Sequence, residues 1–177
     1  MNFNKALRHR STLLILLVAA QLLFLTGIAC YHYAIGWFGK DIRIQTVPVD
    51  PRDYLYGDYV RLNYRINRIG ENLWKGPGRK PESGDTVYVV LESKQPSGIY
   101  EATAAYPFNP PASPQEAVLK GRISYLDNRE IFIQYGLEKY YVEENTGKKL
   151  EEQAANLIVK VKVAPWGSAV IEELELQ

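Results

Sequence analysis

An uninterrupted apolar run near the N-terminus constrains this chain more than any other feature. Residues 13–35 contain 19 apolar residues of 23 and no Asp, Glu, Lys or Arg. A helix rises about 1.5 Å per residue, so roughly 20 residues span the hydrocarbon core of a bilayer. The run therefore predicts a transmembrane anchor over residues 12–35, preceded by a basic N-terminal segment of residues 1–11.

The charges around this run predict its direction. Lys5, Arg8 and Arg10 are the only charged residues before Lys40. Basic residues beside a span favour the cytoplasmic side of the membrane. We therefore expect a single-pass protein of the cell membrane, with a cytoplasmic N-terminus and an extracytoplasmic C-terminal domain. Aromatic residues, which favour the headgroup layer, cluster at the far end of the run: Tyr31, Tyr33, Trp37 and Phe38.

Two other interpretations of the run remain open. Gly27, Ile28 and Ala29 resemble a signal-peptidase site before Cys30. Cys30 could instead carry a lipid, although Gly27 stands where a lipoprotein has an aliphatic residue. All three interpretations place residues 40–177 outside the cytoplasm.

The composition of the exported part excludes several functions. Three of the chain's 21 basic residues precede the span, which leaves 18 against 20 acidic residues. Nucleic-acid binding usually needs a basic face, so we expect no nucleic-acid partner. Residues 40–177 also contain no Cys and no His, which excludes Cys nucleophiles, Ser-His-Asp triads and ordinary zinc sites there. A Ser/Lys peptidase is disfavoured because residues 36–82 contain no Ser.

Beyond Lys40, apolar and polar residues alternate as in half-buried strands. The clearest alternation covers residues 60–66, and another covers residues 42–46. Further strands, rich in β-branched and aromatic residues, are predicted at 86–91, 99–105, 118–126, 130–135, 140–143, 157–163 and 169–174. Asp127 and Asn128 are predicted to form a hairpin turn.

Helical patterns are scarce in the exported part, which predicts a mainly β fold. One turn is predicted at residues 72–75 and a short helix at residues 147–156. The Pro-rich stretch at residues 107–114 divides this part into halves that are small for independent stability. We therefore predict one compact exported β domain over residues 36–177. A barrel, a sandwich and a pair of sub-barrels all fit the strand spacing.

The most distinctive segment of the chain covers residues 48–64. We interpret one group of its residues as a structural or recognition motif: Asp50, Arg52, Asp53, Gly57, Asp58, Tyr59, Leu62 and Tyr64. A glycine permits a turn with positive φ, and the residues after it begin a strand. The pattern Gly-Asp-x-Val-x-aliphatic, from Gly57 on, recurs from Gly84 on.

This segment resembles the GDYxxLxY domain family of bacterial membrane-anchored proteins. A second segment, Tyr135-Gly136-Leu137-Glu138-Lys139-Tyr140-Tyr141-Val142, is similar to a later segment of the same family. The resemblance implies a bacterial cell-envelope location, one span and a β-rich exported domain. Members of the family accompany multi-pass membrane proteins, which implies such a partner here. The resemblance carries no catalytic or binding residue over to this chain.

Two roles remain open for the loop that precedes the strand. Arg52 can hold Asp53 or Asp58 through a charge-assisted hydrogen bond, which would make the loop a scaffold for the domain. Loops also carry recognition, and the carboxylates of Asp50, Asp53 and Asp58 could bind a ligand or a metal ion.

The sequence therefore predicts a membrane-anchored, extracytoplasmic, non-catalytic accessory or interaction module without a cofactor. Its expected partner is another membrane protein. We expect the aromatic residues Tyr54, Tyr56 and Trp74 to contact this partner, because interface hot spots favour Tyr and Trp. The alternative is a cell-envelope ligand- or metal-binding domain that uses the acidic loop Asp50–Asp58.

Overall fold

One long helix and eleven strands make up the part of the chain that the structure describes. The structure is a computed structural model and describes residues 3–47, 59–141 and 157–176. Helix α1 covers Phe3–Phe38. The strands are β1 (Lys40–Val47), β2 (Tyr59–Arg61), β3 (Asn63–Tyr64), β4 (Arg68–Gly70), β5 (Thr86–Lys94), β6 (Ile99–Tyr106), β7 (Glu116–Asp127), β8 (Glu130–Gln134), β9 (Lys139–Tyr141), β10 (Leu157–Val163) and β11 (Ala169–Leu176).

Helix α1 contains the predicted apolar run. Its part Leu13–Phe38 is long and apolar enough to span a membrane, with a mean hydropathy of 2.5 in its most apolar window. The side chains along this part are mostly exposed, as at Leu23 (74%). The helix continues past residue 35, the end predicted for the anchor. Only Gly39 separates it from β1, and the Gly39 N–H donates to the Ile35 carbonyl oxygen over 2.9 Å.

The strands form a curled half-barrel sheet and a separate two-stranded sheet. The larger sheet has the order β11-β10-β1-β6-β5-β7-β8-β4, with β3 also paired to β1. Its pairings are antiparallel except for β1 with β6. The smaller sheet pairs β2 with β9. Strands β6 and β7, before and after the Pro-rich stretch, both pair with β5, so this stretch does not separate two sub-barrels.

The core forms where the buried face of each strand meets its neighbours. Strand β1 buries Ile42 and Ile44, β5 buries Val89 and Leu91, and further strands add Leu119, Ile131, Ile133, Val159 and Val161. Burying one such aliphatic side chain contributes about 1.5–3 kcal/mol relative to exposure. The alternation that predicted the strands is therefore the alternation that builds this core.

The prediction of one continuous strand over residues 60–66 is wrong. The pairing changes at Leu62, because β2 pairs with β9 whereas β3 pairs with β1. A 3₁₀ turn, Arg65–Asn67, then replaces the end of the predicted strand. It begins where the Asn67 side chain accepts the Tyr64 N–H over 2.6 Å and so ends the ladder. The burial alternation is kept, since Leu62, Tyr64 and Ile66 are all buried.

The remaining predicted strands occur within a few residues of their expected positions. Residues 142–143 of the strand predicted at 140–143 lie outside the described residues. The hairpin between β7 and β8 is confirmed, although Asn128 and Arg129 occupy its centre, with φ of 45° and 69°. Positive φ at both central residues is the geometry that a two-residue hairpin favours. The turn predicted at residues 72–75 is a 3₁₀ turn at Glu71–Leu73. The helix predicted at residues 147–156 lies outside the described residues.

Candidate functional site

The second half of the distinctive motif lies in the core. Leu62 and Tyr64 are each 1% exposed. The Leu62 N–H donates to the Glu138 carbonyl oxygen over 2.9 Å, and the Tyr64 hydroxyl donates to the Leu137 carbonyl oxygen over 2.7 Å. Both residues of the motif therefore bind the backbone of the second segment singled out in the sequence, Tyr135 to Val142.

That second segment is a tight turn closed by its own glutamate. Gly136 has a φ of 80°, which favours glycine. The Glu138 carboxylate accepts the N–H groups of Tyr135 (2.6 Å) and Gly136 (2.9 Å). These bonds fix the Leu137 carbonyl that receives the Tyr64 hydroxyl.

Two further side chains, which make three hydrogen bonds, tie the segments together. The Asn67 side-chain amide donates to the Ile133 carbonyl (2.7 Å) and to the Glu138 carboxylate (3.2 Å). The Tyr135 hydroxyl donates to the Ile66 carbonyl over 2.8 Å. The two segments, which are distant in sequence, thus form one hydrogen-bonded junction, which we call the motif junction.

The electrostatics of the junction keep its tyrosines neutral. Burial, with a smaller contribution from the Glu138 carboxylate, raises the pKa of the Tyr64 and Tyr135 hydroxyls far above the ordinary value near 10. A neutral hydroxyl that donates to a backbone carbonyl is not available as a base or nucleophile near neutral pH. The chemistry of these residues is therefore that of fixed hydrogen-bond donors.

An open groove of about 520 Å³ lies beside the motif junction. Its lining includes the ends of β2, β8 and β9 and combines aromatic, amide and charged side chains: Arg61, Asn63, Tyr125, Phe132, Gln134 and Lys139. A groove of this size and openness fits an extended segment of a partner rather than an enclosed small molecule.

Two stacked aromatic rings form part of the wall of the groove. Tyr125 and Phe132 are paired across β7 and β8, with ring centroids 4.1 Å apart and planes 14° apart. A β-bulge at Ser124, whose hydroxyl donates to the Phe132 carbonyl over 3.0 Å, precedes Tyr125. Bulges redirect side chains, and Tyr125 is left 52% exposed. The Arg68 guanidinium lies 5.6 Å from the centre of the Phe132 ring.

The described residues leave out most of the acidic loop predicted as a recognition or ligand site. Asp50, Arg52, Asp53, Tyr54, Tyr56, Gly57 and Asp58 lie outside the described residues. Tyr59 is described as the first residue of β2, opposite Tyr141 of β9. Within residues 13–47, 61–140 and 157–175, no three His, Cys, Asp or Glu side chains are grouped as metal ligands.

Trp74, the third predicted interface aromatic, packs against the core and is half-buried. Its indole N–H donates to the Arg79 carbonyl oxygen over 2.7 Å. Trp74 lies beside Ala105 of β6 and is not among the residues that line the groove.

The repeat of the turn pattern is described at Gly84 and Asp85. Gly84 has a φ of 90°, and the Asp85 carboxylate accepts the Glu82 N–H (3.3 Å) and pairs with Arg79 (2.6 Å). This is the geometry that the sequence predicts for a Gly-Asp turn before a strand.

Sequence reasoning missed the aromatic wall and Asn67. Neither Tyr125 nor Phe132 belongs to a motif, and their pairing depends on the hairpin register and the bulge. For Asn67 a signal exists, because an Asn three residues after a strand end can accept a backbone N–H and terminate the ladder.

The comparisons with known proteins give a family match for this chain. No curated protein and no solved structure matches the chain. The family model described as GDYXXLXY protein matches residues 21–174, a range that holds the apolar helix from Gln21 on and both junction segments. Because this match covers most of the chain, the protein belongs to the GDYXXLXY protein family.

Proposed function

We propose that the protein is a membrane-anchored, extracytoplasmic interaction module that holds a segment of another membrane protein in the groove beside the motif junction. The observation that carries this proposal is the groove itself. It lies beside the motif junction, whose hydrogen bonds fix part of its lining, and it presents stacked aromatic rings and amide groups to solvent. Rigid aromatic surfaces of this kind are the usual anchors of protein interfaces.

The polar groups of the motif junction are hydrogen-bonded within the domain, which supports binding rather than catalysis. The Glu138 carboxylate accepts three N–H donors, and the hydroxyls of Tyr64 and Tyr135 each donate to a carbonyl. A general acid or base must instead reach a substrate atom. The groups best held at this site therefore serve as a scaffold.

The anchor supports a partner in the same membrane. Helix α1 is long and apolar enough to span a bilayer, and three basic residues precede its apolar part. By the positive-inside bias the β domain is extracytoplasmic. Tethering confines the domain to the membrane surface. The effective concentration of a partner in the same membrane is high, so the groove can be occupied even if its affinity for that partner is weak.

Site-directed photocrosslinking in native membranes tests this proposal. A benzophenone side chain replaces Asn63, an exposed residue that lines the groove, or Leu126, an exposed residue that does not. We expect the probe at position 63 to capture one integral membrane protein, identified by mass spectrometry, and the probe at position 126 not to capture it. Tyr125→Ala should reduce the capture because it removes one anchor ring.

A second pair of variants probes the loop that precedes β2. Replacing Tyr54 and Tyr56 with Ser should also reduce capture without lowering the melting temperature. Equal capture from positions 63 and 126, or none from position 63, would contradict the groove proposal. Binding of Ca²⁺ by the purified chain, lost in Asp53→Asn, would then favour the acidic-loop alternative.

A further inference from the structure

The apolar helix and the β domain are joined without a flexible linker. Gly39 is the single residue between α1 and β1, and its N–H continues the helical hydrogen bonding to Ile35. A Cβ atom on Gly39 would collide with the Ile35 carbonyl oxygen and approach Lys162 of β10 at 3.3 Å. The direction of the helix therefore sets the orientation of the domain.

The end of the helix docks on the turn between β10 and β11. The Tyr31 hydroxyl lies 2.5 Å from the Ser168 hydroxyl and accepts the Trp166 indole N–H over 3.2 Å. Ile35, one turn further along, is only 2% exposed, whereas Trp37 is 81% exposed. One side of the helix end is thus covered by the domain, and the other side is open.

The helix rise gives the depth of this turn in a bilayer. Tyr31 follows Leu13, the first residue of the apolar part, by 18 residues, or about 27 Å of helix. The hydrocarbon core is about 30 Å thick. A span that begins at Leu13 therefore places Tyr31, and with it Trp166, at the outer hydrocarbon boundary, where Trp and Tyr are enriched.

A second loop lies beside this turn. The Asn109 side chain donates to the Pro165 carbonyl oxygen over 3.3 Å, and the Phe108 ring is 49% exposed beside Tyr106. Residues 107–115 and 163–171 contain no charged residue. Two charged side chains flank the first loop: the Lys40 ammonium donates to the Pro114 carbonyl oxygen over 2.6 Å, and the Glu116 carboxylate accepts the Ser113 N–H over 2.8 Å. The two loops that meet at the helix end are therefore the kind of surface that can leave water.

We infer that the turn at residues 164–168 and the loop at residues 107–114 form a second membrane contact, inserted into the interfacial layer of the outer leaflet. The inference rests on the proposed anchor. Its occupant is the lipid surface itself, because the uncharged loops sit at the depth of the headgroups and continue the aromatic end of the span. Together, the helix and this contact hold the domain against the membrane in one orientation, with the groove at a fixed height.

Tryptophan quenching in lipid vesicles tests this contact with the full-length chain. The chain has three tryptophans, so Trp37→Phe with Trp74→Phe leaves Trp166 as the sole emitter. The protein is reconstituted into phosphatidylcholine–phosphatidylglycerol vesicles with bromine atoms either near the headgroups or near the bilayer centre. We expect Trp166 to lose more emission to the shallow bromines than to the deep ones.

Two control variants separate this contact from the anchor. Each carries Trp37→Phe, Trp74→Phe and Trp166→Phe and has one new tryptophan as its sole emitter. Leu23→Trp lies about 15 Å of helix beyond Leu13 and should be quenched most by deep bromines. Leu126→Trp lies about 33 Å along β7 from Glu116 and should keep its emission. The protein in these vesicles has no partner, so quenching at Trp166 reports lipid alone.

Each other outcome overturns a stated part of the inference. Quenching of Leu23→Trp with full emission from Trp166 would leave the anchor in place and overturn the second contact, as expected if a protein partner covers that face instead. Full emission from both would overturn the anchor and the contact together. Quenching of Leu126→Trp equal to that of Trp166 would show that these loops are not a specific membrane contact.

Discussion

The Tyr64 hydroxyl donates a hydrogen bond of 2.7 Å to the carbonyl oxygen of Leu137, 73 residues later in the chain. This bond gives the hydroxyl of Tyr64, which occupies the last position of the GDYxxLxY pattern, a structural role in this chain. A phenylalanine would fill the same volume but would leave the buried carbonyl without its donor. The GDYxxLxY segment and the segment from Tyr135 to Val142 are therefore the two sides of one contact.

Removing this hydroxyl should destabilise the domain. We expect Tyr64→Phe to lower the free energy of unfolding by about 1–3 kcal/mol, since it leaves a buried acceptor unsatisfied. Chemical denaturation of the full-length protein in detergent measures the loss. Tyr88→Phe is the control, because the Tyr88 hydroxyl has no hydrogen bond to another residue in the described part of the chain. Equal stability of the two variants would contradict the role of the bond.

Alkaline pH should weaken the same junction. Burial raises the pKa of Tyr64 in the folded state, so the unfolded chain loses this proton first as the pH rises. The contribution to stability is fully present below pH about 10 and falls above it, by about 1.4 kcal/mol per pH unit for this tyrosine. Denaturation midpoints between pH 8 and about 11.5 should fall less steeply in Tyr64→Phe than in the parent. Parallel curves would contradict a neutral, buried hydroxyl.

Much of the fold follows from local pattern. The apolar run predicts α1, and period-two alternation predicts the strands because each strand buries one face, as β10 does with Leu157, Val159 and Val161. The same alternation could not predict the break at Leu62. One continuous strand would bury every second residue, and so do two short strands followed by a 3₁₀ turn. Only the pairing of β2 with β9 and of β3 with β1 distinguishes the two arrangements.

The groove could not be predicted from the sequence for a similar reason. Stacking of Tyr125 on Phe132 requires the register of β7 against β8 and the bulge at Ser124. A shift of β8 by one residue would turn Phe132 to the other face of the sheet, away from Tyr125. Motif residues such as Leu62 and Tyr64 were identifiable, but their role in the core depends on a turn far along the chain.

The repeated Gly-Asp turn should depend on glycine at its first position. Gly84 has a φ of 90° and open space around it, so a larger side chain is strained by the backbone conformation rather than by a clash. We expect Gly84→Val to lower the free energy of unfolding by about 1–3 kcal/mol. Lys80→Val, in the same exposed region, should have little effect.

The sequence repeat extends this prediction to Gly57. If the two turns share one conformation, Gly57→Val should lower the melting temperature as Gly84→Val does. An unchanged melting temperature in Gly57→Val alone would mean that the pattern Gly-Asp-x-Val does not define the turn.

The orientation of the chain should be measurable by labelling with a membrane-impermeant maleimide. Cys30→Ser removes the one native cysteine. Glu71→Cys then places a thiol on the exposed surface of the β domain, and Asn4→Cys places one before the span. Because three basic residues precede the apolar run, we expect Glu71→Cys to react in intact spheroplasts and Asn4→Cys to react only after lysis. Labelling of Asn4→Cys before lysis, with protection of Glu71→Cys, would reverse the orientation and place the groove in the cytoplasm.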